Sequence, residues 1–180
     1  VLATDQDFFD YHYGRTFGAP LVAPDGRLAL FRSHRSGWIN YWAVPTDGGE
    51  PRQLCPQASD QSGAAWSADG ATIAFISNRN GTLALWLCDA DGSNARALVT
   101  SELGVCQAPA WSPDGATIAF LQSSPTDTQD LWTVDVASGA AARLTDSLPV
   151  GLRGRLSTPE KIAYPTFDGL AINAYLYRPA

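Results

Sequence analysis

The sequence predicts an all-β fold: a β-propeller fragment of three four-stranded antiparallel blades, followed by a C-terminal β-hairpin. Residues 65–75 and 110–120 read AWSADGATIAF and AWSPDGATIAF, and a more divergent copy lies at residues 21–31. The Asp-Gly pairs of the three copies are 44 and 45 residues apart. A repeat of about 40–45 residues with four strands is the size of a propeller blade. Because no segment has a sustained helical period, we expect almost no helix.

Each repeat divides into four short strands at its turn signals. In the middle unit we expect the first strand to end at Trp66 and the others to cover residues 72–77, 83–88 and 95–99. Asp and Gly favour tight turns, because Asp bonds the backbone ahead of it and Gly accepts positive φ. Asn80-Gly81 predicts a two-residue hairpin turn between the second and third strands.

The third strand of the middle unit is apolar on both faces. Its alternate residues are leucines on one face and Ala84, Trp86 and Cys88 on the other. A sheet covered on both sides fits blades stacked around an axis, whereas a sandwich leaves one face polar. The tryptophans of this strand recur at 44 and 46 residues and are predicted to form a blade core between neighbouring blades: Trp42, Trp86 and Trp132.

The end of the period sets the domain boundaries. We expect residues 18–145 to hold the three blades, at residues 18–56, 60–100 and 105–145. Residues 1–17 are expected to form the end of a preceding blade or an N-terminal arm. Residues 146–180 lack the repeat, and their alternating pattern predicts a hairpin of residues 161–167 and 170–177 around Asp168-Gly169.

The blade motif resembles the PD40 or TolB-type, WD40-like propeller repeat. The resemblance rests on the Trp-Ser-Pro-Asp-Gly turn, the Ile-Ala-Phe strand, the later Leu-Trp pair and the closing Arg143-Leu144-Thr145. The tail, STPEKIAYPTFDGLAINAYLYRP, resembles the crossover from propeller to catalytic domain in the prolyl oligopeptidase family of serine peptidases, acylaminoacyl-peptidase-like members above all. This resemblance implies an interdomain hinge at Pro159, Glu160, Asp168, Gly169 and Pro179.

The family resemblance implies a non-catalytic propeller region that covers an active site and limits access to peptides or acyl-peptides. Its partner would be the α/β-hydrolase domain of the same parent chain, with peptide substrates between them. Catalysis needs a Gly-x-Ser-x-Gly motif followed by an acid and a His. That motif is absent from the sequence, and the two histidines, His12 and His34, lie before or within the first blade. We therefore expect no catalytic residues in this chain.

Two other functions stay open on the sequence. A TolB-like propeller that acts as a protein–protein interaction scaffold would carry the tail as a terminal hairpin. A propeller lyase or glycan-binding enzyme would need a His or metal cluster, which two histidines make unfavourable. We expect no cofactor and no metal; Asp89–Asn94 resembles a calcium loop, but it lacks the distal Glu and occupies a blade-turn position.

Charge and hydropathy exclude further classes of partner. The formal net charge of -6 opposes nucleic acid and anionic membranes, and no apolar run approaches the roughly 20 residues that span a bilayer. We expect a cytoplasmic location. The chain begins at Val1 and contains no Met, so we expect residues to have been removed upstream. Arg153 and Arg155 are interpreted as exposed linker residues, with a peptide carboxylate as the alternative partner.

The cysteines and the open ends of the propeller complete the expectations. Cys55, Cys88 and Cys106 lack metal-ligand spacing and are interpreted as small apolar residues, with a Cys55–Cys106 disulfide as the alternative. Propellers typically use four to eight blades. Because three blades leave two unpaired faces, we expect the isolated chain to self-associate or to have its ring completed by other chains.

Overall fold

A computed structural model describes residues 19–178 of the chain. Four of the predicted features lie outside these residues in whole or in part: the arm of residues 1–17, the first residue of blade 1, His12 and Pro179.

The repeats fold into three four-stranded antiparallel sheets, each with its strands in chain order. Blade 1 contains β1 to β4, at Leu21–Val22, Leu28–Ser33, Asn40–Pro45 and Arg52–Gln53. Blade 2 contains β5 to β8, at Gln61–Trp66, Thr72–Ser77, Ala84–Asp89 and Arg96–Val99. Blade 3 contains β9 to β12, at Val105–Trp111, Thr117–Ser124, Asp127–Asp135 and Ala141–Arg143. The predicted fold class is confirmed.

The tail forms a separate two-stranded sheet of β13 at Glu160–Pro165 and β14 at Ala171–Leu176. Both strands are shorter than predicted, because Thr166 and Leu170 belong to the turn: the Thr166 amide donates to the Leu170 carbonyl at 2.8 Å. The described residues contain only two helical segments, short 3₁₀ turns at Arg79–Gly81 and Val150–Leu152. Neither is long or apolar enough to cross a membrane.

The predicted Asn80-Gly81 hairpin turn is wrong. Pairing of β6 with β7 stops at Ser77 and Ala84, so a longer loop joins the two strands. Within it, the Gly81 amide donates to the Asn78 carbonyl at 3.0 Å and closes the 3₁₀ turn. The Ser77 hydroxyl accepts a further bond from the Arg79 amide at 3.3 Å, which favours this turn over the two-residue alternative.

The Asp-Gly turns between the first and second strands of blades 2 and 3 share one hydrogen-bond pattern. In blade 2, Asp69 Oδ1 accepts from the Ser67 hydroxyl at 2.6 Å and from the Ala71 amide at 3.0 Å. Gly70 adopts a φ of 70°, which a residue without Cβ reaches at little cost. Blade 3 repeats these bonds around Asp114. The same local sequence therefore produces the same turn.

Apolar side chains fill the space between the blades. The core between blades 1 and 2 combines Leu30, Tyr41 and Leu54 with Ile73, Phe75 and Trp86. The core between blades 2 and 3 combines Ala74, Ile76, Leu85 and Leu87 with Cys106, Ile118, Phe120 and Val134. Alternate residues of β7 thus face opposite neighbours, and the middle sheet is covered on both sides as its sequence predicts.

Cysteine pairing differs from the sequence-based expectation. Cys55 and Cys88 form a disulfide, while Cys106 is a free, buried thiol, so the interpretation of all three as apolar residues and the Cys55–Cys106 alternative are both wrong. The reason is the direction of each side chain: Cys88 faces blade 1, whereas Cys106 faces the core between blades 2 and 3. Cys55 meets Cys88 from the end of blade 1 with a φ of 42°.

Candidate interdomain face

The two ends of the strands form two different faces of the propeller fragment. One end carries the β2–β3, β6–β7 and β10–β11 loops and the linkers that leave each blade; we call it the tail-side face. The Asp-Gly turns lie at the opposite end, the far face. Residues of the tail hairpin line depressions together with the Arg79–Leu83 loop and the Leu103–Val105 segment, so the tail packs on the tail-side face.

Two of the predicted hinge residues lie at the base of the hairpin. Pro159 is buried where the linker meets blade 2, beside Thr158 and Lys161. Glu160 is exposed at the start of β13, and its carboxylate accepts from both Nε and Nη2 of Arg178, at 3.2 and 2.8 Å. An exposed pair of this kind contributes at most about 1 kcal/mol, so burial of Pro159 is the firmer attachment.

The other two described hinge residues form the tip of the hairpin. Asp168 accepts from the Thr166 hydroxyl and from the Leu170 amide, and these bonds hold the pKa of Asp168 below its usual value. Gly169 has a φ of 84°. Thr166-Phe167-Asp168-Gly169 therefore repeats the Ser-x-Asp-Gly turn of blades 2 and 3. Asp168 and Gly169 act in a turn, away from the buried junction at Pro159.

The three blade-core tryptophans occupy the same place in successive blades but differ in burial. Trp86 is 8% exposed and belongs to the core between blades 1 and 2. Trp132 is partly buried against the core between blades 2 and 3. Trp42 pairs with Phe31 across β2 and β3, on the side of blade 1 away from blade 2, and the Arg35 guanidinium lies 4.9 Å above its ring.

A charged cluster anchors the chain where it leaves blade 3. Asp130 is buried, and it accepts from Arg143, from the Thr145 hydroxyl at 2.7 Å and from the Ser147 amide at 2.9 Å. Burial alone raises the pKa of Asp130, but the hydrogen bonds from Thr145, Ser147 and Arg143 outweigh it and bring the pKa to about 2. The carboxylate is therefore charged at all ordinary pH values.

The linker arginines differ in their contacts. Arg153 pairs with Asp146, which also contacts Arg143, so Arg153 extends the charged cluster into the linker. Arg155 is exposed. Both arginines are thus exposed linker residues, as interpreted from the sequence, and Arg153 has Asp146 as its partner.

A cleft of about 600 Å³ opens between blade 2 and the tail. Its walls are the Arg79 loop, Trp86, the Thr100–Leu103 linker and the tail residues Thr158, Pro159 and Lys161. The Arg79 guanidinium lies 5.4 Å above the Trp86 ring.

Large apolar side chains are exposed mainly in the tail and its linker. Ten of the twelve exposed large hydrophobic residues among the described ones fall between residues 144 and 177. Phe167 is fully exposed at the hairpin tip, and the hairpin strands and their ends expose Tyr164, Leu170, Tyr175, Leu176 and Tyr177. A concentration of exposed large apolar side chains in one segment is typical of an interaction surface.

Two features that the sequence raises, His34 and Asp89–Asn94, lie at turns or loops between strands. His34, the histidine within the described part, lies half-buried in the β2–β3 loop. In residues 19–178, no group of three or more His, Cys, Asp or Glu side chains is placed to hold a metal ion. Asp89–Asn94 is the turn between β7 and β8, with Asp89 accepting from Asn94 Nδ2 at 2.7 Å.

Sequence reasoning missed three kinds of contact between blades. The Trp66 and Trp111 indoles donate to the Leu21 and Ala65 carbonyls of the preceding blade, at 3.4 and 3.1 Å. Arg52 and Arg96 donate to carbonyls in the far-face turns of the following blade. Each pair recurs at 44 or 45 residues, so alignment of the repeats could have identified them. The Cys55–Cys88 disulfide has no counterpart in the repeat and left no such signal.

Comparison with known proteins places this architecture in a family. The model of the dipeptidyl peptidase IV (DPP IV) N-terminal region matches residues 23–166, which include most of blade 1, blades 2 and 3 and the first tail strand. No curated protein matches the chain in sequence.

Solved structures share the fold. A puromycin-hydrolyzing peptidase from Mycobacterium tuberculosis is 22% identical with a TM-score of 0.69, over 88% of this chain and 25% of that one. Dipeptidyl peptidase 4 from Porphyromonas gingivalis is 20% identical with a TM-score of 0.68, over 87% and 23%. A putative TolB from Agrobacterium tumefaciens is 22% identical with a TM-score of 0.62, over 73% and 51%.

The extent of these matches bounds what they show. The chain spans between about a quarter and a half of the solved chains, and at these identities the likeness concerns the fold. The family match covers most of the sequence and extends into the tail. This chain belongs to the dipeptidyl peptidase IV N-terminal region family, as a propeller portion of the prolyl oligopeptidase type.

Proposed function

We propose that the chain is the non-catalytic propeller region of a serine peptidase, which covers the active site and limits access to peptides or acyl-peptides. The observation that carries this proposal is the exposed apolar surface of the tail, on the same face as the cleft. Such a surface fits burial against an α/β-hydrolase domain of the same parent chain. In this proposal residues 146–180 form the hinge and the first hairpin of that domain, and residues 18–145 form the cover.

The parent gene provides the first test. A Gly-x-Ser-x-Gly motif downstream of Ala180, followed by an acid and a His, is the expected result. A stop codon directly after Ala180 would overturn the proposal. An acylaminoacyl-peptidase-like specificity and a cytoplasmic location stay predictions, since both depend on the parent protein.

Access to the active site can be tested in the parent protein through the disulfide. Cys88→Ser removes the covalent link between blades 1 and 2, so the cover should open more often. We expect faster hydrolysis of long polypeptides and unchanged hydrolysis of a short peptide, with Cys106→Ser as the matched control. Equal rates on long substrates for the wild type and both variants would show that the blades do not limit access.

A TolB-like interaction scaffold is the second candidate, and the fold shared with the Agrobacterium tumefaciens TolB favours it. It predicts further blades without a hydrolase domain and a tail that stays packed on the propeller. In that case the exposed tail residues would contact a protein partner. The downstream sequence separates the two candidates, because only the first requires a nucleophile motif.

We also propose that the 180-residue chain self-associates through its open blade faces. Phe31 and Trp42 face away from blade 2, and Leu121 and Leu131 pair on the outer side of blade 3. In a longer propeller these faces would be covered by neighbouring blades. Sedimentation should show oligomers that dissociate on dilution; a clean monomer at high concentration would contradict this proposal.

A further inference from the structure

The blades differ at the place where the chain leaves each of them. In blade 1 Asn40 lies at the tail-side end of β3 and accepts from Gln53 Nε2 at 2.8 Å and from the Gln57 amide at 3.0 Å. In blade 3 the corresponding residue is Asp130, which accepts from Arg143 and from the Ser147 amide. In both blades, a polar pair joins the third strand to the fourth and holds the linker.

Blade 2 has two alanines in place of this polar pair. Strand register aligns Ala97 with Gln53 and Arg143, because each is paired with the tryptophan of its own third strand. Two residues before that tryptophan, Ala84 stands where the other blades have Asn40 and Asp130. Small side chains cannot bridge the gap to the Thr100–Leu103 linker. The 600 Å³ cleft lies at this place, with Ala84 in its wall.

Basic and apolar groups line the cleft together. Arg79 and Lys161 stand on its two sides, one from the blade and one from the tail, and Glu102 is its acidic residue. Among the described residues, no carboxylate lies within 4.0 Å of the Arg79 guanidinium nitrogens. The Trp86 ring and the Pro159 ring supply apolar walls, and the hydroxyls of Thr100 and Ser101 lie beside them.

We propose that the blade 2 cleft binds a small ligand that carries one carboxylate on an apolar body, such as an N-acylated amino acid. The guanidinium of Arg79 would donate to the carboxylate, a strong charge-assisted hydrogen bond, while the apolar body packs on Trp86 and Pro159. Small-molecule sites have volumes of about 300–1,000 Å³ and few, well-placed polar groups. The proposal uses only residues of this chain and does not rest on the proposed peptidase function.

N-acetylphenylalanine and its C-terminal amide are the probes that test this site. Titration of the 180-residue chain by calorimetry should show saturable binding of the acid at millimolar concentrations or below. The amide should bind at least about tenfold more weakly, since it lacks the charge that strengthens the hydrogen bond. Equal binding of acid and amide, or no binding of either, would overturn the proposal.

Matched variants assign the binding to the cleft. Arg79→Gln should weaken binding of the acid at least about tenfold, whereas Arg35→Gln, at the corresponding position over Trp42, should leave it unchanged. Glu102→Gln should strengthen it, because a like charge is removed. Equal losses in Arg79→Gln and Arg35→Gln would place the ligand elsewhere and overturn the proposal.

Introducing the missing polar pair into blade 2 tests the position of the binding site independently. The double variant Ala84→Asn/Ala97→Gln introduces the blade 1 pair into blade 2 and should close the cleft, with loss of acid binding. Far-UV circular dichroism and the urea midpoint should stay close to wild type, which separates a filled cleft from a misfolded blade. A folded double variant that binds the acid with wild-type affinity would contradict the assigned position.

Discussion

The two interfaces between blades are built on the same apolar pattern but differ in their polar chemistry. Both bury alternate residues of the second and third strands, and each receives a tryptophan hydrogen bond from the following blade. The interface between blades 1 and 2 adds the disulfide and a buried Gln61, whose Oε1 accepts from the Tyr41 amide and whose Nε2 donates to the Cys55 carbonyl, both at 2.9 Å.

At the interface between blades 2 and 3, the thiol of Cys106 occupies the position that the side-chain amide of Gln61 occupies between blades 1 and 2. The Cys106 amide donates to the Leu83 carbonyl, as the Gln61 amide donates to the Ile39 carbonyl one repeat earlier. The two residues are therefore equivalent, but Cys106 has a small thiol that packs among apolar side chains and accepts only a weak bond from the Leu85 backbone. Repeated apolar positions thus define how blades stack, and single non-repeated residues decide how strongly each pair is joined.

The largest expected effect comes from the apolar part that both interfaces share. Trp86→Ala should lower the free energy of unfolding by about 3–5 kcal/mol, the usual range for truncation of a large core residue. Trp132→Ala, its partly buried equivalent, should cost less. Urea denaturation of both variants measures the difference, and a loss below about 1 kcal/mol for Trp86→Ala would show that its ring is not part of the core.

Reduction of the disulfide should weaken only the first interface. The cysteines are separated by 33 residues, and closing a loop of that length restricts the unfolded chain by about 3–4 kcal/mol. Urea denaturation with and without dithiothreitol measures this effect. Cys106→Ala should remain as sensitive to dithiothreitol as the wild type; a wild-type midpoint that does not respond to reduction would contradict the link.

Gln61→Ala should have an intermediate effect. The substitution leaves the Tyr41 amide and the Cys55 carbonyl without their side-chain partner, and a buried unsatisfied group costs about 1–3 kcal/mol. The equivalent variant Cys106→Ala removes only the weaker bond that the Cys106 sulfur accepts from the Leu85 backbone and should cost less, as measured by the same urea denaturation. Equal losses of stability in the two variants would mean that the Gln61 side chain stabilises its interface only by filling space.

Titration of the Cys106 thiol should have the smallest effect on the free energy of unfolding. This effect should be absent at neutral pH and visible only at alkaline pH. Burial raises the pKa of the Cys106 thiol from its usual value to about 11. The folded state therefore keeps a proton that the unfolded state loses, so this contribution to stability is intact at neutral pH and is lost as pH rises toward 11. Unfolding curves of wild type and Cys106→Ala should diverge there.

Thiol labelling at pH 8 checks the same burial by another route. Cys106 should react with iodoacetamide only after unfolding, because the protonated thiol is a poor nucleophile and is shielded. Rapid modification of the folded chain, seen as a mass increase, would show that the second interface opens readily.

The repeat explains why the blades could be predicted and the inter-blade details could not. Strand order and the two-sided burial of β7 follow from alternation within one unit, which is local information. The Arg79–Gly81 turn depended on Ser77 accepting a bond from the Arg79 amide, and the sequence pattern favoured a tighter turn. Prediction of the disulfide would have required two facts. Alternation along β7 is consistent with Cys88 facing blade 1, but it does not indicate that Cys55 adopts a positive φ.

The candidate site was predictable only in part, for a related reason. The resemblance of the tail to the peptidase family predicted a hinge at Pro159, which is buried where the tail meets blade 2. The cleft arises from a polar pair that blade 2 lacks, and it became visible only when strand register aligned Ala84 and Ala97 with their counterparts. A departure from a repeat is informative once the repeat is known in three dimensions.

The Asp-Gly turns make the far face of the fragment acidic. They place acidic side chains together at the far face: Asp25, Asp47, Asp69, Asp89, Asp91, Asp114 and Asp135. Hydrogen bonds from neighbouring Ser hydroxyls and backbone amides lower the pKa of Asp69, Asp91, Asp114 and Asp135, so this charge persists in mild acid. Three arginines share the far face, Arg27, Arg52 and Arg96, so the seven aspartates keep it in excess of negative charge. An approaching anion is therefore repelled from the far face before any contact forms.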